Sequence, residues 1–265
     1  MSKLGEIYIN DAFGTAHRNH SSNSIISKFF NQKYIGYLME KEIKNINKIL
    51  YSKSKPFTVI LGGSKVSDKI QLIEKLIKYI DNIIIGGAMS NTFIKAKGGN
   101  IGDSVYESDK IDIAKKLIKK ITDSGVKLHL PEYCLVSTNI KKKSRTKIYN
   151  SKKIEEKWIN VDIGPKTIKN WNQIIMESKK IIWNGPLGIY EIKEFSNGTN
   201  SIALSISNST KNGAHSLVGG GDSIAALNNQ RLNNDISFVS TGGGALLSYI
   251  TNQSLISIEG FYLKN

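Results

Sequence analysis

Cysteine is almost missing from this chain. Cys134 is the only one in 265 residues, which excludes an internal disulfide and a cysteine-rich zinc site. Arginine is nearly as scarce: Arg18, Arg145 and Arg231 stand among 37 basic residues. The net charge of +15 is therefore carried by lysines spread along the whole length. A polyanion would suit that charge, but no basic stripe with interleaved aromatics occurs, so the lysines read as solvated and no nucleic-acid partner is expected. The one local cluster, Lys141 to Arg145, reads as an exposed loop. There is no low-complexity linker, no signal or transit peptide, and no apolar run long enough to span a bilayer. No membrane association is expected, and the cytoplasm is the expected compartment. Two nucleotide fingerprints are missing as well: neither G-x-x-x-x-G-K-[ST] nor G-x-G-x-x-G occurs. An ordinary P-loop and an NAD-type turn are thereby disfavoured.

What is present centres on Leu217 to Leu227, LVGGGDSIAAL. A short apolar run ending at Val218 has the character of a buried strand. Gly219, Gly220 and Gly221 follow, then Asp222 and Ser223 in the place of a helix N-cap, then the apolar start Ile224-Ala225-Ala226-Leu227. Strand, glycines and helix N-terminus leave backbone N–H groups open to an anion, most often phosphate. A carboxylate at Asp222 would repel phosphate unless a cation lay between, and Mg²⁺ is the common bridge. A tight turn in which Asp222 is an ordinary cap remains the alternative.

Taken in order, the chain opens on an alternating, strand-prone Ile7-Tyr8-Ile9 with no local partner, as though it ended another domain. Asn10 to Ser22 is a polar loop carrying His17, Arg18 and His20; it reads either as plain surface or as a guanidinium fork for carboxylate or phosphate. Tyr37 to Tyr51 has helical periodicity and suits an interdomain helix. From Pro56 strands and helices alternate. Phe57–Leu61, Ile83–Ile85, Val126–Leu130, Asn160–Ile163, Lys180–Trp183, Ser216–Val218 and Ser237–Ser240 are the expected strands, and most end in glycine. This predicts an α/β, doubly wound, mainly parallel Rossmann-like sheet with helices on both faces, with glycine loops at one edge where ligands approach. Lys65 and Lys69, four apart, are expected in the first turns of the helix after Leu61, where cations oppose the dipole unless an anion sits in front. Two ordinary surface lysines are the other reading.

Several segments together resemble phosphoglycerate kinase. They are NDAFGTAHRNHSS (Asn10 to Ser22), GYLMEKEI (Gly36 to Ile43), ILGGSKVSDKI (Ile60 to Ile70), DIGPKT (Asp162 to Thr167), WNGPLGIYE (Trp183 to Glu191), VGGGDSIAA (Val218 to Ala226) and STGGGA (Ser240 to Ala245). They come in the family's order and cover nearly the whole chain. The resemblance implies reversible phosphoryl transfer between 1,3-bisphosphoglycerate and ADP, giving 3-phosphoglycerate and ATP, with Mg²⁺.

It also implies roles. Lys69 would contact the nucleotide phosphates, Lys65 the transferring phosphoryl, and Gly219, Gly220 and Gly221 would cradle phosphate. Asp222 would partner the metal, Ser223 and Asn184 would face the phosphates, and Glu191 would take the ribose. Gly86, Gly87 and Gly164 would line the adenine slot. Gly243, within Gly242 to Gly244, would add amides beside the transferring group, so that Lys65, Lys69, Gly221 and Gly243 form the catalytic set. Arg18 and His17 would belong to the phosphoglycerate side.

Relative to the family, roughly the first third is missing and the tail Asn252 to Ser257 departs from the usual Gly-Lys-x-Leu-Pro-Gly. Ala88 replaces a frequent glycine and Leu187 a common methionine. The expected organisation is a remnant of the phosphoglycerate-side domain (1–35), an interdomain helix (36–52), a nucleotide-binding domain (53–250) and a C-terminal return segment (251–265). A monomer is expected, working with a separately encoded or omitted N-terminal segment. The alternatives are a catalytically silent Mg-nucleotide-binding remnant and, disfavoured by Lys65, Lys69 and Asp222, a Rossmann oxidoreductase.

Overall fold

The computed structural model describes residues 1–259 and Phe261. It divides into two compact units: Met1–Ser52 together with the chain from Ser240 on, and Lys53–Val239. The expected nucleotide-binding stretch ran to 250; in the structure Ser240 to Asn252 groups with the first unit instead.

In the first unit, β1 (Ile7–Asn10) is not partnerless. It pairs in parallel with β2 (Gln32–Ile35), Ile7 opposite Gln32 and Asn10 opposite Ile35. The β2 sequence is too short and polar for its periodicity to stand out. Next comes α1 (Tyr37–Tyr51), which buries Met39, Ile43, Ile46, Ile49 and Leu50 along one stripe, the spacing of an amphipathic helix. Glu42 lies on that stripe, fully buried. Its carboxylate accepts the Ser240 hydroxyl (2.7 Å), the Thr241 N–H (2.7 Å) and the Thr241 hydroxyl (2.8 Å). A buried carboxylate is tolerated only when its oxygens are bonded in this way.

The second unit is built on a sheet of six parallel strands. Along the chain run β3 (Phe57–Leu61), α2 (Ile70–Leu76), β4 (Asn82–Ile85), α3 (Met89–Ala96), β5 (Asn100–Ile101), α4 (Ile111–Asp123) and β6 (Lys127–His129). After these come β7 (Tyr133–Ser137), β8 (Thr146–Asn150), β9 (Lys153–Ile154), β10 (Ile159–Ile163), α5 (Pro165–Glu177) and β11 (Lys180–Asn184). The unit closes with α6 (Asn197–Lys211), β12 (His215–Gly219), α7 (Gly221–Asn229) and β13 (Phe238–Val239). The sheet order is β13-β12-β11-β3-β4-β6. Every residue of β3 and β11 is buried, as expected where helices cover a parallel sheet. Trp183, Ile60, Ile84 and Val218 pack there with Trp171, Ile175, Ile202 and Ile206 from α5 and α6.

One expected parallel strand lies elsewhere. β10 runs antiparallel to β7 in a separate sheet, β10-β7-β8, with an irregularity between Asn160 and Asp162. Glycine at a strand end marks a loop but does not set the strand's direction, and the exposed, polar β8 shows little strand pattern. Lys141 to Arg145 occupies the turn of the β7–β8 hairpin, mostly exposed.

Back in the first unit, α8 (Gly243–Asn252) buries Ala245, Leu246, Tyr249 and Ile250. The drifted tail still docks on this unit: Leu255 is buried, and the Ser257 N–H donates to the Ala16 carbonyl (3.2 Å). Residue 260 and residues 262–265 of the expected return segment lie outside the described residues.

Candidate nucleotide cleft

Strand register makes the site. Asn184 pairs with Leu61 on one side and Gly219 on the other, so three strands end level at the carboxyl edge of the sheet. Just beyond, the turns come very close: a Cβ on Gly62 would lie 2.1 Å from the Pro186 carbonyl oxygen. Gly220 has φ of 95°, open to glycine, and a Cβ there would press within 2.8 Å of Asn184 Nδ2. That amide donates to the Gly219 carbonyl (2.8 Å), while Asn184 Oδ1 accepts the Lys69 ammonium.

Lys69 is the one lysine of the cleft taken almost wholly out of solvent, 8% exposed. Burial pulls its pKa down to about 8, with Asp68 partly opposing the shift. A buried cation with a single neutral acceptor has its charge to spare for an anion. Lys69 and Lys65 do not, however, share a helix face. The helix begins at Ile70; Lys69 is its N-cap and Lys65 lies in the loop before it. The Glu107 carboxylate takes the N–H groups of Val66 and Ser67 in that loop, so they cannot be spent on a helical turn. Asp222 is likewise not the cap of its helix. Gly220 caps α7, and Asp222 stands in the first turn, exposed, its Oδ1 accepting the Tyr190 hydroxyl at 3.3 Å. Positive-φ backbone at Gly220 starts this helix two residues earlier than a cap at Asp222 would.

Two adjoining cavities result. One, about 210 Å³, is lined by Lys65, Asp68, Lys69, Asn184, Gly220, Gly221 and Asp222 among others. Its walls set the Lys65 and Lys69 side chains and the N-terminus of α7 beside the Asp68 and Asp222 carboxylates, surroundings that suit phosphate accompanied by a cation. The other, about 260 Å³, is more apolar, with Gly87, Val105, Ile140, Pro186, Leu187 and Ile189 on its walls and Glu191 and Asp222 beside them. Gly63, Ser64, Pro186 and Asp222 border both cavities. Together they fall within the size of a small-molecule pocket, about 300–1,000 Å³.

A family model described as phosphoglycerate kinase matches residues 1–253. The chain belongs to the phosphoglycerate kinase family. It is similar to a phosphoglycerate kinase of Porphyromonas gingivalis, 45% identical over 97% of this chain and 62% of that protein. Among solved structures it resembles phosphoglycerate kinase from Coxiella burnetii, with TM-score 0.91 and 35% identity over 98% of this chain and 66% of that one. Phosphoglycerate kinase from Pyrococcus horikoshii OT3 matches with TM-score 0.83 and 29% identity, over 97% of this chain and 64% of that one. The chain thus spans about two thirds of the length of these family members.

Within this phosphoglycerate kinase fold, the cleft does not gather every residue the resemblance implied. Gly86 does not border either cavity but packs on Leu187, where a Cβ would lie 2.5 Å from Cδ2. Gly164 caps α5 with its N–H on the Tyr133 carbonyl (2.9 Å), against backbone and away from both cavities. Ser223 is fully buried, its hydroxyl accepting the Gly185 N–H (2.7 Å). His17, Arg18 and Gly243 belong to the first unit. There His17 Nε2 would lie 3.1 Å from a Cβ on Gly244. Its Nδ1 is buried without a partner, and burial, then Arg18 and His20, lower its pKa.

Three residues in the second unit escaped sequence reasoning. Tyr190 touches Asp222. Asp162 borders the larger cavity, accepts the Ile163 and Gly198 N–H groups, and is pushed up to about 7 by burial. Glu107 fastens the Lys65 loop. Asp162 stood inside a quoted motif, whereas Glu107 had no signal beyond an acidic residue ahead of a helix.

Proposed function

We propose that the chain binds Mg²⁺–ADP or Mg²⁺–ATP, phosphates in the smaller cavity and nucleoside in the larger. It would thereby serve as the nucleotide side of phosphoglycerate kinase in glycolysis, in the cytoplasm. The observation that carries this is the convergence of Lys69, Lys65, Asn184, Gly220, Gly221 and Asp222 on one cavity. Lys69 meets phosphate charge, Lys65 reaches from the loop ahead of α2 toward the phosphoryl in transit, and the amides at the start of α7 hold the oxygens. Glu191 stands at the nucleoside cavity with Asp222, placed for ribose hydroxyls.

The carboxylates fit a metal carried in on the nucleotide. Among the described residues no three His, Cys, Asp or Glu side chains gather as a self-sufficient metal site. Mg²⁺ at phosphates commonly uses only one or two carboxylates, and Asp222, with Asp68 nearby, can supply these. Bound there, the metal would offset charge on the phosphate oxygens.

In the transfer, the bond from phosphorus to the acyl oxygen of 1,3-bisphosphoglycerate breaks as one to a terminal oxygen of ADP forms, leaving 3-phosphoglycerate as a carboxylate. Such transfers depend on alignment and charge neutralisation rather than covalent help. Arg18 and His17 are proposed for the phosphoglycerate side. The remaining acceptor contacts would come from the part of the family's fold that residues 1–265 do not span, the assembly being monomeric.

Calorimetric titration tests the nucleotide assignment, with ADP binding expected in the presence of Mg²⁺ and absence of binding sinking it. A coupled assay separates a kinase from a silent binder. Negligible turnover is expected from the chain alone, since lost orientation can be worth about 7–11 kcal/mol of barrier, and added N-terminal segment of a relative should restore it. Binding without turnover even then would leave the silent remnant as the function.

A further inference from the structure

The loop carrying Lys65 and Lys69 is tied down by a residue far along the chain. At its start the Gly62 and Gly63 N–H groups reach the Asn184 and Pro186 carbonyls, and at its end the Lys69 N–H closes on Val66. Between them the fastening is Glu107. Its Oε2 accepts the N–H groups of Val66 and, at 3.2 Å, Ser67, while Oε1 accepts the Ser67 hydroxyl at 2.6 Å. Bonds from backbone N–H groups to an ionised carboxylate are stronger than those to a neutral acceptor. They also occupy a loop that would otherwise present donors to water.

Glu107 is held in its turn. Its own N–H donates to Thr92 Oγ1 (3.1 Å), and Thr92 is fully buried on α3. Two residues earlier, the Val105 carbonyl accepts Asn91 Nδ2 (2.9 Å), and Asn91 Oδ1 accepts Asn160 Nδ2 (2.8 Å). Val105 and Asn160 both border the larger cavity. One short segment therefore walls the nucleoside cavity with Val105 and grips the phosphate loop with Glu107.

We propose that Glu107 is a positioning residue of the phosphate site. It fixes the Val66–Ser67 turn and so sets where Lys65 and Lys69 stand, and it links that loop to the wall of the nucleoside cavity. The inference rests on the reading of the cleft as a nucleotide site. A carboxylate near a site for anions opposes the ligand by its charge, so its placement is accounted for by the loop it holds.

The test uses the full chain as wild type, Glu107→Ala, Glu107→Gln and Ser67→Ala. Affinities for ADP with Mg²⁺ and for adenosine are measured by calorimetry, and amide exchange at Val66 and Ser67 by NMR without ligand. Glu107→Ala should weaken ADP about 10–100-fold and leave adenosine within about twofold, with faster exchange at both amides. Glu107→Gln, keeping one acceptor oxygen, and Ser67→Ala, losing one bond, should fall between. Unchanged ADP affinity despite faster exchange would overturn the positioning role, and equal losses for ADP and adenosine would reduce Glu107 to general support. Should Glu107→Ala fail to fold, the two milder variants decide by the same ratio. A wild-type chain that bound neither ligand would instead overturn the nucleotide reading, and unchanged exchange in the variants would separately overturn the fastening.

Discussion

The second unit and the first each bring cationic and glycine residues together at a helix N-terminus, yet they do so differently. At α7, Lys69 and Asn184 are almost completely buried, and the turn is locked by Gly220 and by strands ending in register. At the start of α8, His17 lies half-buried against Gly244 and its neighbour Arg18 is exposed, in a unit whose sheet has only two strands. A buried, bonded side chain has already given up its rotamer freedom before a ligand arrives, so less is lost on binding. An exposed arginine has not. The contrast teaches that preorganisation follows the core behind a site, not the residues displayed on it.

The largest expected effect exploits that contrast. Lys69→Ala should weaken Mg²⁺–ADP binding about 100-fold, the range for a charge-assisted contact, whereas Arg18→Ala should leave it unchanged in the isolated chain. Calorimetry on the two variants decides; equal effects would dissolve the distinction.

Next comes pH. The Lys69 pKa of about 8 lies below that of an ordinary lysine because charging it in the protein's interior is unfavourable. Phosphate favours the charged form, so binding takes up a proton above that pH. ADP affinity should be flat below about pH 7 and fall about tenfold toward pH 9, and Lys69→Ala should remove that fall. For folding the sign is opposite. The unfolded lysine binds more protons between about 8 and 10.5, so this group's contribution to stability rises with pH across that window.

A smaller effect is expected at Asp222. Asp222→Asn should reduce the gain in ADP affinity on adding Mg²⁺ by several-fold, and leave metal-free binding nearly unchanged. Titrations with and without the metal measure this, and an undiminished Mg²⁺ effect would exclude the metal role. The smallest concerns Gly164. A Cβ there would meet the Tyr133 backbone at 3.0 Å, away from both cavities. Gly164→Ala should therefore lower the thermal midpoint while changing ADP affinity less than about twofold. A large affinity loss at unchanged stability would return this glycine to the base slot.

The residues themselves determined a good deal. Apolar runs ending in glycine marked β3, β4, β11 and β12, because a strand buried on both faces must be continuously apolar. The stripe of α1 was legible from its spacing. Lysine and carboxylate beside glycines pointed to phosphate and metal, since few other ligands suit that mixture. Other features came only from the folded chain. The β1–β2 pairing, the reversed β10 and the capping of α7 by Gly220 depend on partners or backbone angles that no local pattern encodes. The burial of Lys69 depends on Asn184, 115 positions away, and the hold on its loop depends on Glu107, 40 positions away. Local sequence states what a side chain can do. Which distant group desolvates it, bonds it and shifts its proton is decided by the packing that brings them together.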